Sequence, residues 1–244
     1  MEISLAAEKI GQIGPLPITN SLALSWIVTL ALIILALVAS KNLKAIPRGL
    51  QNFVETIVEY LFNLVDNVIG NEGQTKKYFP LIATIFIFVI CNNWLGLIPG
   101  VGTIGLHELK EGRNVFVPVL RSANADLNTT LILAVISVIS VQIFGIAAIG
   151  FIKYSKKFFN FKSPILFFVG ILELVSEISR MVSFSFRLFG NIFAGEILLT
   201  VVAFLVPLIA PLPFFFLELF VGFIQALVFS MLTTVFIKSA ISEH

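Results

Sequence analysis

The sequence contains few charged residues, one cysteine and two histidines. Charged residues make up 12% of its 244 residues, about half the share of a typical soluble domain. The single cysteine, Cys91, excludes an internal disulfide framework and a cysteine metal site. His107 and His244 lack the spacing of paired metal ligands, so we expect no metal or cofactor. A net charge of +2 without a basic, aromatic-interleaved stretch argues against nucleic-acid binding.

The amino terminus does not resemble a cleaved signal peptide. It carries Glu2, Glu8 and Lys9 instead of a positively charged region. The apolar run over 21–39 is also too long for the hydrophobic part of such a peptide, although Ala39 and the following serine resemble a cleavage site.

Apolar residues are abundant, at 58% of the chain, which is more than a soluble fold of this size could bury. A bilayer core requires about 20 apolar residues per helix. The stretches that meet this requirement are 21–40, 79–98, 128–152, 164–206 and 214–237. We therefore predict an all-α, polytopic membrane protein with five transmembrane helices in a single domain over residues 1–244.

Residues 50–69 have the apolar spacing of an amphipathic helix. The opposite face is acidic, with Glu55, Glu59 and Asp66, so anionic lipid does not attract it. We expect this helix to lie at the membrane surface and to pack against protein.

The stretch 164–206 has no internal proline. As one helix it would be ~63 Å long, about twice the hydrocarbon thickness. Two short spans are the alternative, but the segment 178–187 contains no helix breaker. We therefore favour one strongly tilted helix, which forms a hairpin with the last helix, 214–237.

The basic residues predict the orientation, because cytoplasmic loops carry an excess of lysine and arginine. One side receives Lys41, Lys44, Arg48, Lys76, Lys77, Lys153, Lys156, Lys157 and Lys162. The other side receives Lys9, Lys110, Arg113 and Arg121. The amino terminus is expected outside and the carboxyl terminus in the cytoplasm.

The fourth span carries charges that are costly inside a bilayer, at ~2.5–3.5 kcal/mol each on insertion scales. Its charged residues are Glu173, Glu177, Arg180, Arg187 and Glu196. All except Glu196 share one stripe with Asn191, bordered by Ser176, Ser183 and Ala194. Glu173, Glu177 and Arg180 could simply be an ion-paired part of a helix bundle.

Arg187 differs because its stripe offers no nearby acid, and its neighbours are apolar. An arginine stays protonated in proteins, so this side chain is a fixed positive charge near mid-membrane. It cannot relay a proton, but it can attract a carboxylate of another chain. Gly190, Ala194 and Gly195 would allow another helix to approach closely, or would serve ordinary packing. In the last span, Glu218 and Gln225 share one face.

The segment SFRLFGNIFAGEILL, residues 185–199, closely resembles the signature of subunit a of F-type ATP synthases. ADLNTT at 125–130 and FIQALVFSMLTTVF at 223–236 extend the resemblance, which covers essentially the whole chain. The sequence contains no phosphate-binding loop, no convincing hydrolase pair and no internal repeat. A secondary transporter with its own substrate site and a purely structural scaffold are the alternatives.

The resemblance implies a non-catalytic stator subunit beside a ring of c subunits, with b-type peripheral stalk subunits as further partners. Arg187 matches the essential arginine that faces the carboxylate of the ring. The positions that match polar residues of the proton path are Asn191, Glu196, Glu218, Gln225, Glu173 and Ser183. The segment Ala194–Glu196 looks bacterial, which implies the plasma membrane. The choice between proton and sodium is expected to depend mainly on the ring.

An antiparallel hairpin centred on residues 206–207 would place Glu196 and Glu218 at one depth. The same hairpin would place Arg187 level with Gln225. This second level would lie ~10–14 Å along the helix axis from the level of the two acids. Two buried carboxylates in proximity disfavour double ionisation, so we predict a coupled pair that relays protons at the outer face. The alternative is that the two carboxylates face different cavities, because depth does not fix rotation.

Overall fold

The computed structural model describes residues 7–41, 44, 47–102, 104–110, 113–158, 163–207 and 209–242. Glu2, Lys162 and His244 lie outside the described residues. The helices are α1 (Asn20–Ser40), α2 (Leu50–Ile69), α3 (Glu72–Gly96), α4 (Leu127–Ile149), α5 (Phe151–Phe158), α6 (Pro164–Leu205) and α7 (Pro211–Ile241). A 3-10 turn, Ala123–Ala125, precedes α4.

Five of the described helices, α1, α3, α4, α6 and α7, are long and apolar enough to cross a membrane. Large apolar side chains, such as those of Trp26, Leu30 and Ile33 on α1, are exposed along their surfaces, as expected for helices in contact with lipid. The predicted all-α polytopic membrane fold is therefore confirmed.

Local sequence sets the ends of these helices. Thr19, Asn71 and Asp126 each accept a hydrogen bond from a backbone N–H in the first turn of α1, α3 and α4. Pro164 and Pro211 begin α6 and α7, where the missing N–H of proline has no cost.

The helix in the predicted span 128–152 ends earlier, at Ile149. Gly150 follows with a φ of 91°, a conformation that side-chain-bearing residues rarely adopt. The chain changes direction there and continues as the short helix α5. The proposed continuous helix through 164–206 is confirmed, since α6 extends for 42 residues without a break.

Short strands, which the sequence did not predict, also occur. Strands β1 (Lys9–Ile13) and β2 (Leu16–Thr19) form one antiparallel hairpin. Strand β3 (Pro99–Gly102) follows α3, and β4 (Gly105–Lys110) pairs with β5 (Arg113–Pro118) in a second hairpin. We call the end of the molecule that carries these strands and the α6–α7 turn the hairpin end, and the opposite end the α5 end.

The main core lies between α3, α4, α6 and α7. Its buried side chains include Val89, Ala134, Leu188 and Ala226. In the α6–α7 hairpin, the ring centroids of Phe184 and Phe229 lie 5.0 Å apart. This antiparallel packing sets the relative heights of the polar residues on the two helices.

Helix α2 packs its apolar stripe onto this core. Leu61, Val65 and Ile69 are buried, whereas Glu55 and Glu59 are exposed. Towards the α5 end, Val65 and Ile69 join a second apolar cluster with Tyr154 and other residues of α5 and α7. The amphipathic pattern of α2 therefore reflects packing against protein.

Candidate functional site

Arg187 lies on a face of α6 that no other described helix covers. Its guanidinium donates to the hydroxyl of Ser183 over 3.4 Å, and it has no ion pair with any acidic group in the described part of the chain. Gly190 and Ala194 continue this exposed face, and a Cβ atom at position 190 would meet nothing within 4 Å. The molecule thus presents a permanent positive charge on an open helix surface.

The opposite side of α6 fixes this orientation. Phe184, Leu188 and Ile192 are buried in the main core. Ser185 is fully buried and its hydroxyl lies 3.2 Å from the hydroxyl of Thr130 on α4. Because these residues anchor the inner face, the helical period turns Arg187 outward.

Gly195 does not belong to the open face with Gly190 and Ala194, and for this glycine the alternative of ordinary packing within the bundle holds. It is buried, and a methyl group at this position would overlap the carboxylate of Glu218 on α7. The missing side chain of Gly195 instead makes room for a carboxylate inside the hairpin. Glu218 itself is 6% exposed.

Glu196 is half-buried and pairs with Arg121, which lies in the segment between β5 and α4. The Nε atom of Arg121 lies 3.1 Å from both carboxylate oxygens. The guanidinium carbon also lies 5.5 Å from the centre of the Phe193 ring. In the sequence, Arg121 is only a loop charge, and its contact with Glu196 was not predicted because the two residues are 75 positions apart.

Both acids line one cavity of about 740 Å³ at the hairpin end. Its polar lining residues are Glu8, Asn20, Asn93, Arg121, Ser122, Glu196, Thr200 and Glu218. Apolar side chains such as Leu199, Phe204 and Phe215 complete the wall. The alternative that the two acids face different cavities is thereby disfavoured. Arg187 and Gln225 are not among the lining residues that the structure describes.

Buried amides hold α7 beside this cavity. The Nδ2 atom of Asn93 donates to the carbonyl oxygen of Gly222 over 2.9 Å, and its Oδ1 atom accepts from Asn124 over 2.7 Å. The indole of Trp94 donates to the carbonyl oxygen of Leu219 over 3.0 Å. These bonds fix the segment next to Glu218. They were not predicted, because an asparagine in an apolar span shows no partner in the sequence.

Asn191 and Gln225 are both half-buried. Neither side chain has a hydrogen bond to another described residue. They lie on the helices that carry Arg187 and Glu218, without a link to the cavity network.

At the α5 end, Glu173 and Glu177 belong to an ion-pair cluster. Lys157 of α5 lies 2.8 Å from Glu173 and 4.0 Å from Glu177. Arg180 lies 2.8 Å from Glu177 and 3.8 Å from Glu173, and its guanidinium stacks on Phe236, 4.4 Å from the ring centre. The interpretation of these charges as an ion-paired part of the bundle is confirmed, with Lys157 as an additional member.

Tyr154 anchors α5 to the bundle. Its hydroxyl lies 2.6 Å from Oε1 of Gln142, and its ring fills the space that a side chain at Gly145 would occupy. Burial raises the pKa of Tyr154 to about 12, and the nearby carboxylates of Glu177 and Glu173 contribute to the rise. The phenol therefore remains protonated and bound at physiological pH.

Comparison with known proteins decides the family. The family model described as ATP synthase A chain matches residues 22–238. This chain belongs to that family.

Three relatives that align with nearly the full sequence are each named ATP synthase subunit a. The Gloeobacter violaceus protein is 39% identical over 98% of this chain and 93% of its own length. The Moorella thermoacetica protein is 34% identical over 97% of both chains. The Geobacter sulfurreducens protein is 37% identical over 92% of this chain and 88% of its own length.

In this family member, the sequence-predicted polar residues fall into separate places. Glu196 and Glu218 share the cavity at the hairpin end, Arg187 and Ser183 share the open face of α6, and Glu173 belongs to the cluster at the α5 end. The α6 helix thus carries three polar regions, at its two ends and on its open middle surface.

Proposed function

We propose that this chain is the stator subunit a of the Fo sector of an F-type ATP synthase. In that role it carries protons between two half-channels against a ring of c subunits and couples their passage to rotation. Arg187 is the observation that carries the proposal. A fixed charge that is exposed on a membrane-spanning helix, with no acidic partner among the described residues, requires a carboxylate from another chain.

The cavity at the hairpin end supplies the outer half-channel. Protons enter past Glu196 and Glu218 and neutralise a carboxylate of the ring. The neutral carboxylate then faces lipid without the cost of burying an ion. Each charge that crosses a membrane potential of 100 mV contributes ~2.3 kcal/mol, so several crossings are needed for each ATP.

Glu173 and Ser183 belong to the inner route, towards the α5 end. Arg187 separates the two routes, since it favours the ionised form of an arriving carboxylate and repels protons. Asn191 and Gln225 lie beside this boundary. This placement supports the assignment of all seven residues to the ion path, with Arg187 as the charge gate.

We place the chain in a bacterial plasma membrane, with the hairpin end outside and the α5 end in the cytoplasm. The excess of lysine near the α5 end supports this orientation. The amphipathic helix α2 lies at the cytoplasmic membrane surface, and the single membrane domain has no catalytic site of its own. Its partners are the c ring, the b-type peripheral stalk subunits and the remainder of the synthase.

Reconstitution tests this function against the two alternatives. The purified chain is placed in lipid vesicles with and without the c ring, and proton flux is measured under an imposed potential. We expect flux only when the ring is present. A transporter would conduct or exchange substrate alone, and a scaffold would conduct in neither preparation.

A further inference from the structure

The two acids that α6 and α7 contribute to the cavity at the hairpin end, called the outer cavity from here on, have different surroundings. Arg121 lies against both oxygens of Glu196, at 3.1 Å each. Glu218 has neither an ion pair nor a side-chain hydrogen bond within the described ranges, and its oxygens lie beside the backbone of Gly195. Of these two carboxylates, that of Glu196 has a fixed counter-charge and that of Glu218 has none among the described residues, while Glu8 is a third acid in the lining.

The position of Arg121 is built into the fold. It is 5% exposed, although it lies in a connection between elements. The next residue, Ser122, packs where a side chain at Gly96 would be, and its hydroxyl donates to the carbonyl oxygen of Asn92 over 3.3 Å. Asn124, two residues on, is fully buried and donates to Val89 and Asn93. The backbone that carries Arg121 is thus attached firmly to α3.

The guanidinium is also held from α6. It lies 5.5 Å from the face of Phe193, and that ring stacks on Phe189 at 5.3 Å between centroids. An arginine over an aromatic face has a preferred orientation in addition to its charge. A buried ion pair requires such additional contacts, because its attraction alone does not repay the cost of removing two charges from water.

We infer that Arg121 is a positioning residue for proton entry, which holds the carboxylate of Glu196 in the wall of the outer cavity. The inference rests on the proposed function. Without Arg121, the carboxylate of Glu196 would have no fixed place on α6, and proton entry through the cavity would slow. Because Arg121 acts through Glu196, its effect disappears when Glu196 can no longer carry a charge.

The test uses vesicles that contain the whole synthase, with ATP synthesis driven by an imposed proton gradient and normalised to the amount of this chain. Arg121→Met removes the charge but keeps much of the apolar stem, and Arg121→Lys keeps the charge. We expect Arg121→Met to lower the rate about tenfold, which lies within the coupling range of contacting charges. Arg121→Lys should retain at least about half of the rate, because lysine also pairs with a carboxylate.

Both changes are repeated in a Glu196→Gln background. There, Arg121→Met should lower the rate by no more than about twofold, since the partner charge is already gone. Lys9→Met is the matched control, because Lys9 is a basic residue at the same end of the molecule but is exposed; its rate should be unchanged.

Three results would overturn the inference: a normal rate in Arg121→Met, a lysine variant no better than the methionine variant, or an equal loss in both backgrounds. If Arg121→Met fails to assemble but the double variant assembles, the pair is coupled and the inference stands. If both fail while Glu196→Gln assembles, Arg121 acts independently and the inference falls.

Arg187→Ala in the same vesicles distinguishes a failure of the proposed function from a failure of this inference. Continued ATP synthesis by Arg187→Ala refutes the proposed function. Loss of synthesis in Arg187→Ala, beside a normal rate in Arg121→Met, refutes only this inference.

Discussion

Gly195 on α6 lies directly against the carboxylate of Glu218 on α7. The contact is possible only because position 195 has no side chain, and it places an acid inside the turn-proximal part of the hairpin. The same two helices bring Phe184 and Phe229 together further along. In each pair, the two residues are equally far along the sequence from the turn at residues 206–207.

Gly195→Ala should therefore displace the carboxylate of Glu218. Overpacking of a buried site costs ~1–3 kcal/mol, so we expect a smaller amount of assembled chain and slower proton entry. Adding Glu218→Ala should restore the amount of chain in the membrane but not the proton entry.

Gly190→Ala is the control, because its added methyl group would meet nothing within the chain. In membranes that lack the c ring, the amount of the Gly190→Ala chain should equal the amount of the wild-type chain. A Gly195→Ala variant with normal assembly and normal proton entry would contradict the contact.

The register of this hairpin was predictable because it follows from the position of one turn. The pairing of Phe184 with Phe229 agrees with a centre at 206–207. The rotation of each helix was not predictable, so the sequence left open whether Gly195 faces another chain or packs within the bundle, and the structure shows packing against Glu218. A glycine shows neither polarity nor size in a sequence pattern, so only its neighbours reveal which face it occupies.

The contacts of the outer cavity were equally hidden. Arg121 and Glu196 come from distant parts of the chain. Nothing in the sequence distinguishes Arg121 from other charged residues in loops. The five apolar spans and the amphipathic α2 were predictable, since their periodicity and length are local properties. The β-hairpins were missed because their strands are short and lie between long apolar helices.

Topology provides a second prediction. In intact cells with Cys91→Ser, a cysteine at Ser242 should not react with a membrane-impermeant thiol reagent added outside. A cysteine at Lys9 should react, since both positions are exposed and the proposed orientation places them on opposite sides. Labelling of position 242 from outside would refute the five-span arrangement.

The acids of the outer cavity provide a third. The double variant Glu196→Gln, Glu218→Gln should slow proton entry from outside far more than either single change, because the two groups line one cavity. Proton entry is measured as ATP synthesis in vesicles, with the protons supplied on the side of the membrane that the hairpin end faces. A double variant that works normally would exclude both residues from the path.

The cluster at the α5 end provides a fourth. Lys157→Met removes a cation that lies 2.8 Å from Glu173 and should lower the stability of the folded complex by ~1–2 kcal/mol, because these charges are largely shielded from water. Lys156→Met is the matched control, since Lys156 is exposed on the same helix. Thermal unfolding of the purified complex distinguishes the two variants, and equal melting temperatures would show that the Lys157 pairs do not stabilise α5.

Arg187 tests the central claim most directly. The measurement is ATP-driven proton pumping by vesicles that contain the complete synthase with Arg187→Ala, beside Arg48→Ala as a basic residue outside the spans. We predict that Arg187→Ala assembles but abolishes pumping, and that Arg187→Lys also fails, because the planar fork and its permanent charge are lost. Near-normal pumping by the alanine variant would contradict the assignment of Arg187 as the charge gate.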